Sequence, residues 1–423
     1  MIPATSVEVW VDGLEDEPVQ VGVLSASFQG ARNLASSAFE YDSTFLARVD
    51  RYPLSPDLPL SSGRQYAAEN RTLFGAFADA APDEWGQTII EANHAALRQH
   101  DQTLPGRIGE FDFLTGVSDF TRAGALRLRS TAGGGWLSAD DGVANLHDLE
   151  RILAVAGRYE ADEASAEDVA YLNDVATSPG GARPKANVLT GRGALALAKL
   201  PHSKDGTIDV EAWEGVALTL ASNVGIVTPR WTHRSVSGDR SVLVVDRFDR
   251  DAGVGRIGYI SAASALEVGR YDNSRVTYEQ FSDTIDTISC TPRVDLREMF
   301  TRIALTILVN NVDDHWRNHG FLRTPAGWRL SPVFDVNPSP RRGSVTARPV
   351  NDDDDPRDRD VRNLVRVADA FRLTGDTARD IVRGVAAEVR QWPSVATALD
   401  IPTSQQERMR PAFSERQLEY AER

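Results

Sequence analysis

An aspartate and an asparagine, Asp313 and Asn318, stand with four residues between them directly after an apolar stretch of the chain. In enzymatic phosphoryl transfer, an aspartate on such a loop accepts the proton of the attacking hydroxyl, and the asparagine binds a magnesium ion against the phosphates. A second carboxylate, Asp335, follows the short apolar segment 332–334. We expect it to bind the other face of the metal, so the pattern indicates phosphoryl transfer.

Lys199 lies near the end of an otherwise apolar predicted strand, on the same side as Leu195 and Leu197. Residues two apart share one face of a strand, so the ammonium is expected to point into a partly enclosed space, where it needs an anion. The helix predicted to begin near Val210 offers Glu214 one turn in. A strand lysine paired with a helix glutamate positions nucleotide phosphates in kinases. The alternative is a lysine that extends from a strand edge into water.

A glycine-rich segment precedes that strand. Residues 177–185 read Thr-Ser-Pro-Gly-Gly-Ala-Arg-Pro-Lys and lead into a predicted hairpin of strands 186–189 and 194–200. Glycine lets backbone amides approach a phosphate closely, and a lysine adds a point charge. The segment lacks the complete sequence of a P-loop NTPase, and a simple tight turn has a similar composition. The candidate ATP contacts here are Ser178, Gly180, Gly181, Ala182 and Lys185.

A further apolar stretch, residues 241–245, is predicted to form a strand that ends in Asp246, Arg247 and Phe248. In a two-lobed nucleotide-binding fold, the connector between the lobes follows such a strand, and its backbone forms hydrogen bonds with the edge of the adenine. Asp246 and Phe248 are therefore candidate ATP contacts at the adenine. An apolar strand closed by a charged turn is also common in proteins of other function.

The chain is predicted to form three parts, because its 423 residues exceed the usual size of one compact core. Residues 1–165 are expected to be a β-rich N-terminal subdomain with packed helices. Residues 166–250 contain the glycine-rich loop and the nucleotide-binding strands. Residues 251–423 are expected to be a helical lobe that carries the catalytic loop and the metal ligands.

Several local patterns support this division. From Ser6 to about Leu24 the residues alternate in strand fashion. The helical spacing of apolar residues over 72–98 is broken by Pro82, and strand character returns over 111–128. Thr277 and Gln280 form a capping-box signature. The apolar stripe of residues 300–308 predicts a buried helix that delivers the Asp313 loop rigidly to the site.

The composition is that of an ordinary globular protein. No apolar run approaches the ~20 residues needed to span a bilayer, and the N-terminus has no basic region followed by an apolar stretch, so we expect a soluble, cytoplasmic protein with no membrane partner. The formal net charge of -15 argues against broad nucleic-acid binding by this chain alone, because attraction to phosphates needs a basic surface. Any contact with DNA is expected through a partner.

Taken together, the motifs resemble the HipA serine/threonine kinase toxins in order and spacing. The stretches that carry the resemblance are 178–185 (SPGGARPK), 199–201 (KLP), 246–250 (DRFDR), 313–321 (DDHWRNHGF) and 330–335 (LSPVFD), and residues 74–97 look like the N-terminal subdomain of the family. The resemblance implies an α+β, two-lobed protein-kinase-like fold of the PI3/4-kinase-like kind, with an added β-rich N-terminal subdomain and an all-helical C-terminal lobe. It also implies ATP and Mg²⁺ as cofactors and a HipB-type helix-turn-helix antitoxin as partner, with operator DNA bound only through that antitoxin.

The resemblance also implies a role for each matching residue. Asp313 looks like the catalytic base, and Lys199 looks like the residue that holds the nucleotide phosphates. Asn318 and Asp335 look like the magnesium ligands. His315 is counted among the ATP-binding residues of the same loop.

Ser178 aligns with the serine that members of the family autophosphorylate. A phosphate there adds up to about two negative charges, which would be repelled by the phosphates of ATP, so the loop would be ejected and the kinase switched off. Pro179, Arg183 and Pro184 depart from the best-known member and stiffen the loop. Asp314 stands where glycine is expected in other members. As a solvent-side acid, it is expected to cap the loop or to make an accessory metal contact.

The expected function is that of a toxin that transfers the γ-phosphate of ATP to a serine or threonine of a cellular protein. Aminoacyl-tRNA synthetases, attacked by some members of the family, are candidate substrates. Two alternatives remain open. A small-molecule or lipid kinase on the same fold would keep the four key residues but show a basic or apolar substrate face, which the sequence does not display. A catalytically silent, antitoxin-binding co-repressor would be expected to have lost one of the four, which are Lys199, Asp313, Asn318 and Asp335.

Overall fold

The computed structural model describes residues 5–30, 32–139, 142–177, 181–236, 240–251, 255–269, 275–340 and 346–422. The strands in these ranges are β1 Ser6–Val11, β2 Val19–Gln29, β3 Asn33–Tyr41, β4 Arg64–Tyr66, β5 Leu126–Ser130, β6 Ala144–Asn145, β7 Lys185–Leu189, β8 Leu195–Lys199, β9 Trp231–Ser235, β10 Ser241–Asp246, β11 Tyr259–Ser261, β12 Gly320–Thr324 and β13 Gly327–Leu330.

The α-helices in the same ranges are α1 Ser43–Ala47, α2 Gly75–Ala80, α3 Glu84–His100, α4 Glu110–Gly116, α5 Leu149–Glu160, α6 Ala166–Val175, α7 Val210–Asn223, α8 Ala262–Ala265, α9 Tyr278–Ile288, α10 Pro292–Leu308, α11 Val361–Arg366, α12 Gly375–Val389, α13 Trp392–Ala398, α14 Thr403–Met409 and α15 Glu415–Glu422. No helix of the described residues is both long and apolar enough to cross a lipid bilayer.

The chain folds into two compact units. The first comprises residues 1–203 and 246–272, and the second comprises residues 204–245 and 273–423. These bounds differ from those of the three predicted parts, whose boundaries near 165 and 250 stay a prediction.

An antiparallel sheet of strand order β4-β3-β2-β1-β5 lies in the first unit. Strand β1, which lies between β2 and β5, shows why the sequence forms the sheet: Val7, Val9 and Val11 are fully buried, and the residues between them are half-buried. Successive side chains of a strand point to opposite faces, so this alternation places one face of β1 in the core. The strand character predicted for the start of the chain is confirmed.

The helical segment after this sheet is interrupted at Pro82, as predicted, because α2 ends at Ala80 and α3 begins at Glu84. Asp83 is the N-cap of α3, and its carboxylate accepts a hydrogen bond from the amide of Gly86 at 2.7 Å. Such a cap satisfies one of the amides that the first turn of a helix leaves without a partner.

The strand predicted over residues 111–128 is wrong in its first part, which forms α4. Asp112 accepts a hydrogen bond from the amide of the residue before that helix at 3.0 Å, and Arg32 donates to the same carboxylate at 3.0 Å. The alternating Phe111 and Phe113 give the sequence the pattern of a strand. The cap by Asp112 and its contact with Arg32 favour the helix instead. Strand structure begins later, at β5.

The predicted hairpin after the glycine-rich segment is confirmed. Strands β7 and β8 are antiparallel, with Lys185 opposite Lys199 and Leu189 opposite Leu195. Gly193 in the turn has a φ of 75°, which glycine adopts without the steric cost of a side chain.

The second unit is built around α10, whose apolar stripe is buried as predicted: Phe300, Ala304 and Leu308 have no exposed surface. The predicted capping box at the start of α9 is also confirmed. The Thr277 amide donates to Oε1 of Gln280 at 3.0 Å, and the Gln280 amide donates to Oγ1 of Thr277 at 3.2 Å. The cap fixes the start of α9, which packs against α10.

The expectation of an all-helical C-terminal lobe is wrong, because β12 and β13 form an antiparallel hairpin within residues 251–423. Phe321 lies opposite Leu330, and Gly327 at the turn has a φ of 141°, a conformation that glycine adopts most easily. The hairpin begins where the catalytic-loop motif ends and leads back toward Asp335.

Candidate active site

The candidate catalytic loop begins where the buried helix α10 ends. Asn310 has a φ of 50°, in the left-handed region that turns the chain sharply away from a helix. Its side-chain amide donates to the carbonyl of Ser339 at 2.6 Å. Asn311 forms a β-bridge with Pro338. The beginning of the loop is therefore fastened to the segment that follows Asp335.

The loop brings together three of the predicted site residues, Asp313, His315 and Asn318. The Asp313 side chain is 62% exposed, and Nε2 of His315 lies 3.8 Å from its Oδ1. Asn318 is buried, and its Nδ2 donates to the backbone carbonyl of Asp313 at 2.7 Å. Thr346 donates a hydrogen bond to Oδ1 of Asp313. The carboxylate is thus oriented while it stays open to a ligand.

Asp314 points into the core, so the expectation that it lies on the solvent side is wrong. The residue is 1% exposed. Its Oδ2 accepts hydrogen bonds from the Tyr278 hydroxyl at 2.7 Å and from Nη1 of Arg359 at 2.8 Å, and its Oδ1 lies 3.0 Å from Nε2 of His319. Asp314 therefore fastens the loop to the core of the second unit.

Charge and burial act in opposite directions on this anchor. Burial alone would raise the pKa of Asp314, but the contact with His319, together with the Arg359 guanidinium, holds that pKa well below its ordinary value. Burial raises the pKa of the Tyr278 hydroxyl well above its ordinary value, and the Asp314 charge adds to that effect. Asp314 is therefore an anion, and Tyr278 remains a hydrogen-bond donor to it.

Asp335 is held by its backbone, which has a φ of 58° in the left-handed region. Its amide donates to Oε1 of Glu214 at 3.1 Å, and Glu214 is itself buried on α7. Nδ2 of Asn337 lies 3.4 Å from Oδ1 of Asp335. The structure thus joins two predicted site residues that the sequence did not link. The predicted pair of Lys199 with Glu214 stays a prediction.

The predicted glycine-rich loop is described in part. Ser178 and Gly180 lie outside the described residues. Gly181 has a φ of 88°, and Ala182 follows it. Lys185 is 2% exposed, and its Nζ lies 2.5 Å from Oδ2 of Asp83 and donates to the Gly181 carbonyl at 2.7 Å. The predicted roles of these residues in binding ATP stay predictions.

The remaining predicted nucleotide contacts lie on strand ends of the first unit. Lys199 is the half-buried last residue of β8. Oδ2 of Asp246 accepts a hydrogen bond from Arg192 at 2.8 Å, and the Phe248 ring packs against Tyr259 with centroids 6.0 Å apart. Asp246 is the last residue of β10 and Phe248 follows that strand. Their role as a connector that contacts adenine stays a prediction.

Sequence reasoning assigned no role to Asp249 and Arg250, although it noted the motif that contains them. Oδ2 of Asp249 accepts hydrogen bonds from the Gly124 amide at 2.8 Å, from Nη2 of Arg247 at 2.5 Å and from Nη1 of Arg250 at 3.0 Å. Nη2 of Arg250 donates to the Arg122 carbonyl at 2.7 Å. These contacts fasten residues 247–250 to the loop before β5. The closely spaced opposite charges of residues 246–250 were the sequence signal that could have indicated these ion pairs.

In the cluster of Arg247, Asp249 and Arg250, the opposite charges counteract the effect of burial on the pKa of Asp249. Burial would raise the pKa of Asp249, but the guanidinium groups of Arg247 and Arg250 keep that pKa well below its ordinary value. Burial lowers the pKa of Arg250 to about 10, against the opposing effect of Asp249. At neutral pH both groups stay charged, so residues 247–250 are held by buried ion pairs.

Comparison with known proteins places the chain in a family. The family described as HipA-like C-terminal domain matches residues 177–392, just over half of the chain, and the family described as HipA N-terminal domain matches residues 8–127. No curated protein matches the sequence.

Two solved structures are similar to the chain. One is a chain of the Shewanella oneidensis MR-1 toxin-antitoxin complex of HipA, HipB and operator DNA, with a TM-score of 0.64 and 16% identity over 98% of this chain and 96% of that chain. The other, the Helicobacter pylori proinflammatory kinase CtkA, has a TM-score of 0.35 and 14% identity over 57% of this chain and 92% of that chain.

The Shewanella match defines the class of fold, a mixed α/β architecture shared over nearly the whole length of both chains. This mixed content fits the predicted kinase-like fold. The chain belongs to the HipA family, because family matches cover both its N-terminal and its C-terminal part. The resemblance drawn from the motifs is confirmed at the level of the family.

Proposed function

We propose that the chain is a HipA-type toxin that transfers the γ-phosphate of ATP to a serine or threonine of a cellular protein. The observation that carries the proposal is the loop after α10. It presents the Asp313 carboxylate and ties Asn318 to the backbone of the same aspartate at 2.7 Å. A base and a metal ligand held rigidly together are what phosphoryl transfer requires.

In the proposed reaction, the hydroxyl oxygen of the substrate attacks the γ-phosphorus of ATP, and the bond from that phosphorus to the oxygen of the leaving ADP breaks. The hydroxyl proton passes to Asp313. The carboxylate is exposed, so a side chain of another protein can reach it. Thr346 orients it by a hydrogen bond to Oδ1. Lys199 is the proposed contact of the nucleotide phosphates, and Asp246 and Phe248 are the proposed contacts of the adenine.

Asn318 and Asp335 are the proposed ligands of a magnesium ion, which when bound neutralises charge on the phosphates. The donors fit, because Mg²⁺ prefers hard oxygen ligands and takes the remainder from phosphates and water. Nδ2 of Asn318 donates to the Asp313 carbonyl, so the amide oxygen of Asn318 is the atom that would bind the ion. The described residues contain no group of three or more His, Cys, Asp or Glu able to hold a metal. A magnesium site that phosphates complete does not need three such protein ligands.

The proposed partner is a HipB-type helix-turn-helix antitoxin, through which the complex would contact operator DNA. The support is the family assignment and the presence of HipB and operator DNA in the related Shewanella complex. The net charge of -15 opposes direct binding to DNA. A cellular protein, with aminoacyl-tRNA synthetases as candidates, is the proposed substrate. Autophosphorylation of Ser178 is the proposed off switch.

The test of the proposed chemistry is the rate of ADP formation from ATP and Mg²⁺ with a bacterial lysate as the source of protein substrate. Loss of a general base typically lowers the rate about 10²–10⁴-fold. We expect a loss of at least about 100-fold in Asp313→Asn and no change in Asp376→Asn, whose side chain is 90% exposed on α12. An Asp313→Asn variant as fast as the parent would contradict the proposal.

A further inference from the structure

The first turn of α3 contacts both ends of the glycine-rich loop. A Cβ on Gly86 would lie 3.4 Å from the Cα of Thr177, the residue that enters the loop. Nε1 of Trp85 donates to the carbonyl of Lys185, the residue that leaves the loop, at 3.2 Å. Thr177 and Lys185, the two ends of the loop, therefore both lie against one turn of a helix about a hundred residues earlier in the chain.

An ion pair at the same place reaches into the loop. The carboxylate of Asp83 uses one oxygen to cap α3, through the amide of Gly86 at 2.7 Å, and its other oxygen lies 2.5 Å from Nζ of Lys185. Both side chains are buried. A buried ammonium is costly unless an anion and hydrogen-bond acceptors surround it, so the pair confines Lys185 to one position. The helix N-terminus holds the carboxylate in turn.

Lys185 passes this constraint to Gly181, whose carbonyl accepts a hydrogen bond from its Nζ at 2.7 Å. In a trans peptide the C=O and the following N–H point in opposite directions. Because the Gly181 carbonyl faces Lys185, the amide N–H of Ala182 faces away from the ion pair. The pair thus fixes the orientation of a backbone donor in the loop.

We infer that Asp83 and Lys185 are positioning residues for ATP: the pair sets the Gly181–Ala182 peptide so that its amide faces the phosphates. This inference rests on the proposed function, since it needs the loop to bind ATP. It differs from the sequence-based interpretation, in which Lys185 contacts a phosphate itself. Its ammonium is already directed to a carboxylate and a carbonyl.

The test is the affinity for a magnesium-bound, non-hydrolysable ATP analogue, measured by calorimetry on the full chain carrying Ser178→Ala, so that phosphorylation at the loop cannot vary. The variants are Asp83→Asn, Lys185→Met and the double variant Asp83→Leu with Lys185→Met. Replacing a buried ion pair by apolar side chains is often neutral for stability, so the double variant should remain folded, which thermal unfolding checks. The matched control is Asp57→Asn, which breaks another largely buried ion pair of the first unit, with Arg71.

We expect all three variants to weaken analogue binding by about tenfold, because a loop that is not preorganised must be ordered on binding. The double variant should lose no more than either single variant, and the control should bind like the parent. Binding by the double variant as tight as that of the parent would overturn the inference, because the pair would then be structural only.

A second result would also overturn it. If Asp83→Asn binds as tightly as the parent or more tightly, while Lys185→Met binds more weakly, then Lys185 contacts a phosphate directly. If the Asp57→Asn control loses as much affinity for the analogue as the variants do, general destabilisation explains the effect, and the positioning role is refuted. Absence of binding by the parent would refute the proposed function together with the inference, whereas failure of the inference alone leaves parent binding intact.

Discussion

The buried anion of Asp314 supports the candidate catalytic loop, and Asp314→Asn tests how much the loop depends on that support. The substitution keeps the size of the side chain but removes the charge that faces Arg359 at 2.8 Å. Arg359 is itself buried, so it would be left without an anion. Removing one partner of a buried ion pair costs about 3–5 kcal/mol. Much of that cost should fall on the loop, because Asp314 lies next to Asp313.

Amide hydrogen exchange, followed by mass spectrometry on peptides that cover residues 310–322, measures this local free energy. A loss of about 3 kcal/mol corresponds to exchange about 100-fold faster, since each 1.4 kcal/mol is a factor of ten. The control Asp376→Asn removes an exposed carboxylate that pairs with Arg379 and should leave exchange in the loop unchanged. Unchanged exchange in Asp314→Asn would refute the anchoring role.

The same cluster predicts a dependence on pH. The pKa of Asp314 is lower in the folded protein than its ordinary value, so its contribution to stability is fully present above the unfolded pKa of about 3.9 and is lost as the pH falls through the folded pKa. Protection of the loop in the parent should therefore decrease below about pH 4. Asp314→Asn should lack this component of the decrease, and an identical decrease in both proteins would contradict the assignment.

Three further substitutions have specific expected outcomes. Glu214→Gln weakens the acceptor of the Asp335 amide, so the magnesium concentration needed for half-maximal ADP formation should rise, by about tenfold; an unchanged magnesium dependence would contradict this role. Asn318→Ala removes the proposed amide ligand and should lower kcat by at least about tenfold, with partial recovery at high magnesium, whereas unaltered kinetics would exclude it as a ligand. Asp249→Asn leaves Arg250 buried without its anion, so the free energy of unfolding should fall by about 3 kcal/mol. Calorimetry should show a lower unfolding temperature for the first unit, and an unchanged unfolding temperature would refute this role.

Local sequence patterns predicted the elements that position the site. The apolar spacing before Asp313 predicted α10, and the Thr277 and Gln280 pair predicted the cap of α9. These features depend on residues within a few positions of one another, so the sequence shows them directly. The helix α4 was missed, because its cap acquires a partner, Arg32, that lies 80 positions away.

The supports of the site depend on distant contacts, and these could not be predicted. Nothing near Asp314 in the sequence shows that Arg359 lies beside it, 45 positions away. Likewise, Asp83 and Lys185 are 102 positions apart. The sequence alone does not distinguish a metal ligand from a structural anchor when a charged residue lies next to a functional motif. Only the fold shows that Asp314 points into the core.

The most direct test of the proposed kinase activity is the intact mass of the purified protein after incubation with ATP and Mg²⁺, measured beside Asp313→Ala and Ser178→Ala. The proposal predicts that the parent gains the mass of one phosphate and that neither variant does, because one lacks the base and the other lacks the acceptor. A phosphate gain that persists in Asp313→Ala would contradict the assignment of the catalytic base. A parent that binds ATP yet gains no phosphate would contradict self-modification at Ser178 and favour a small-molecule kinase or a silent co-repressor.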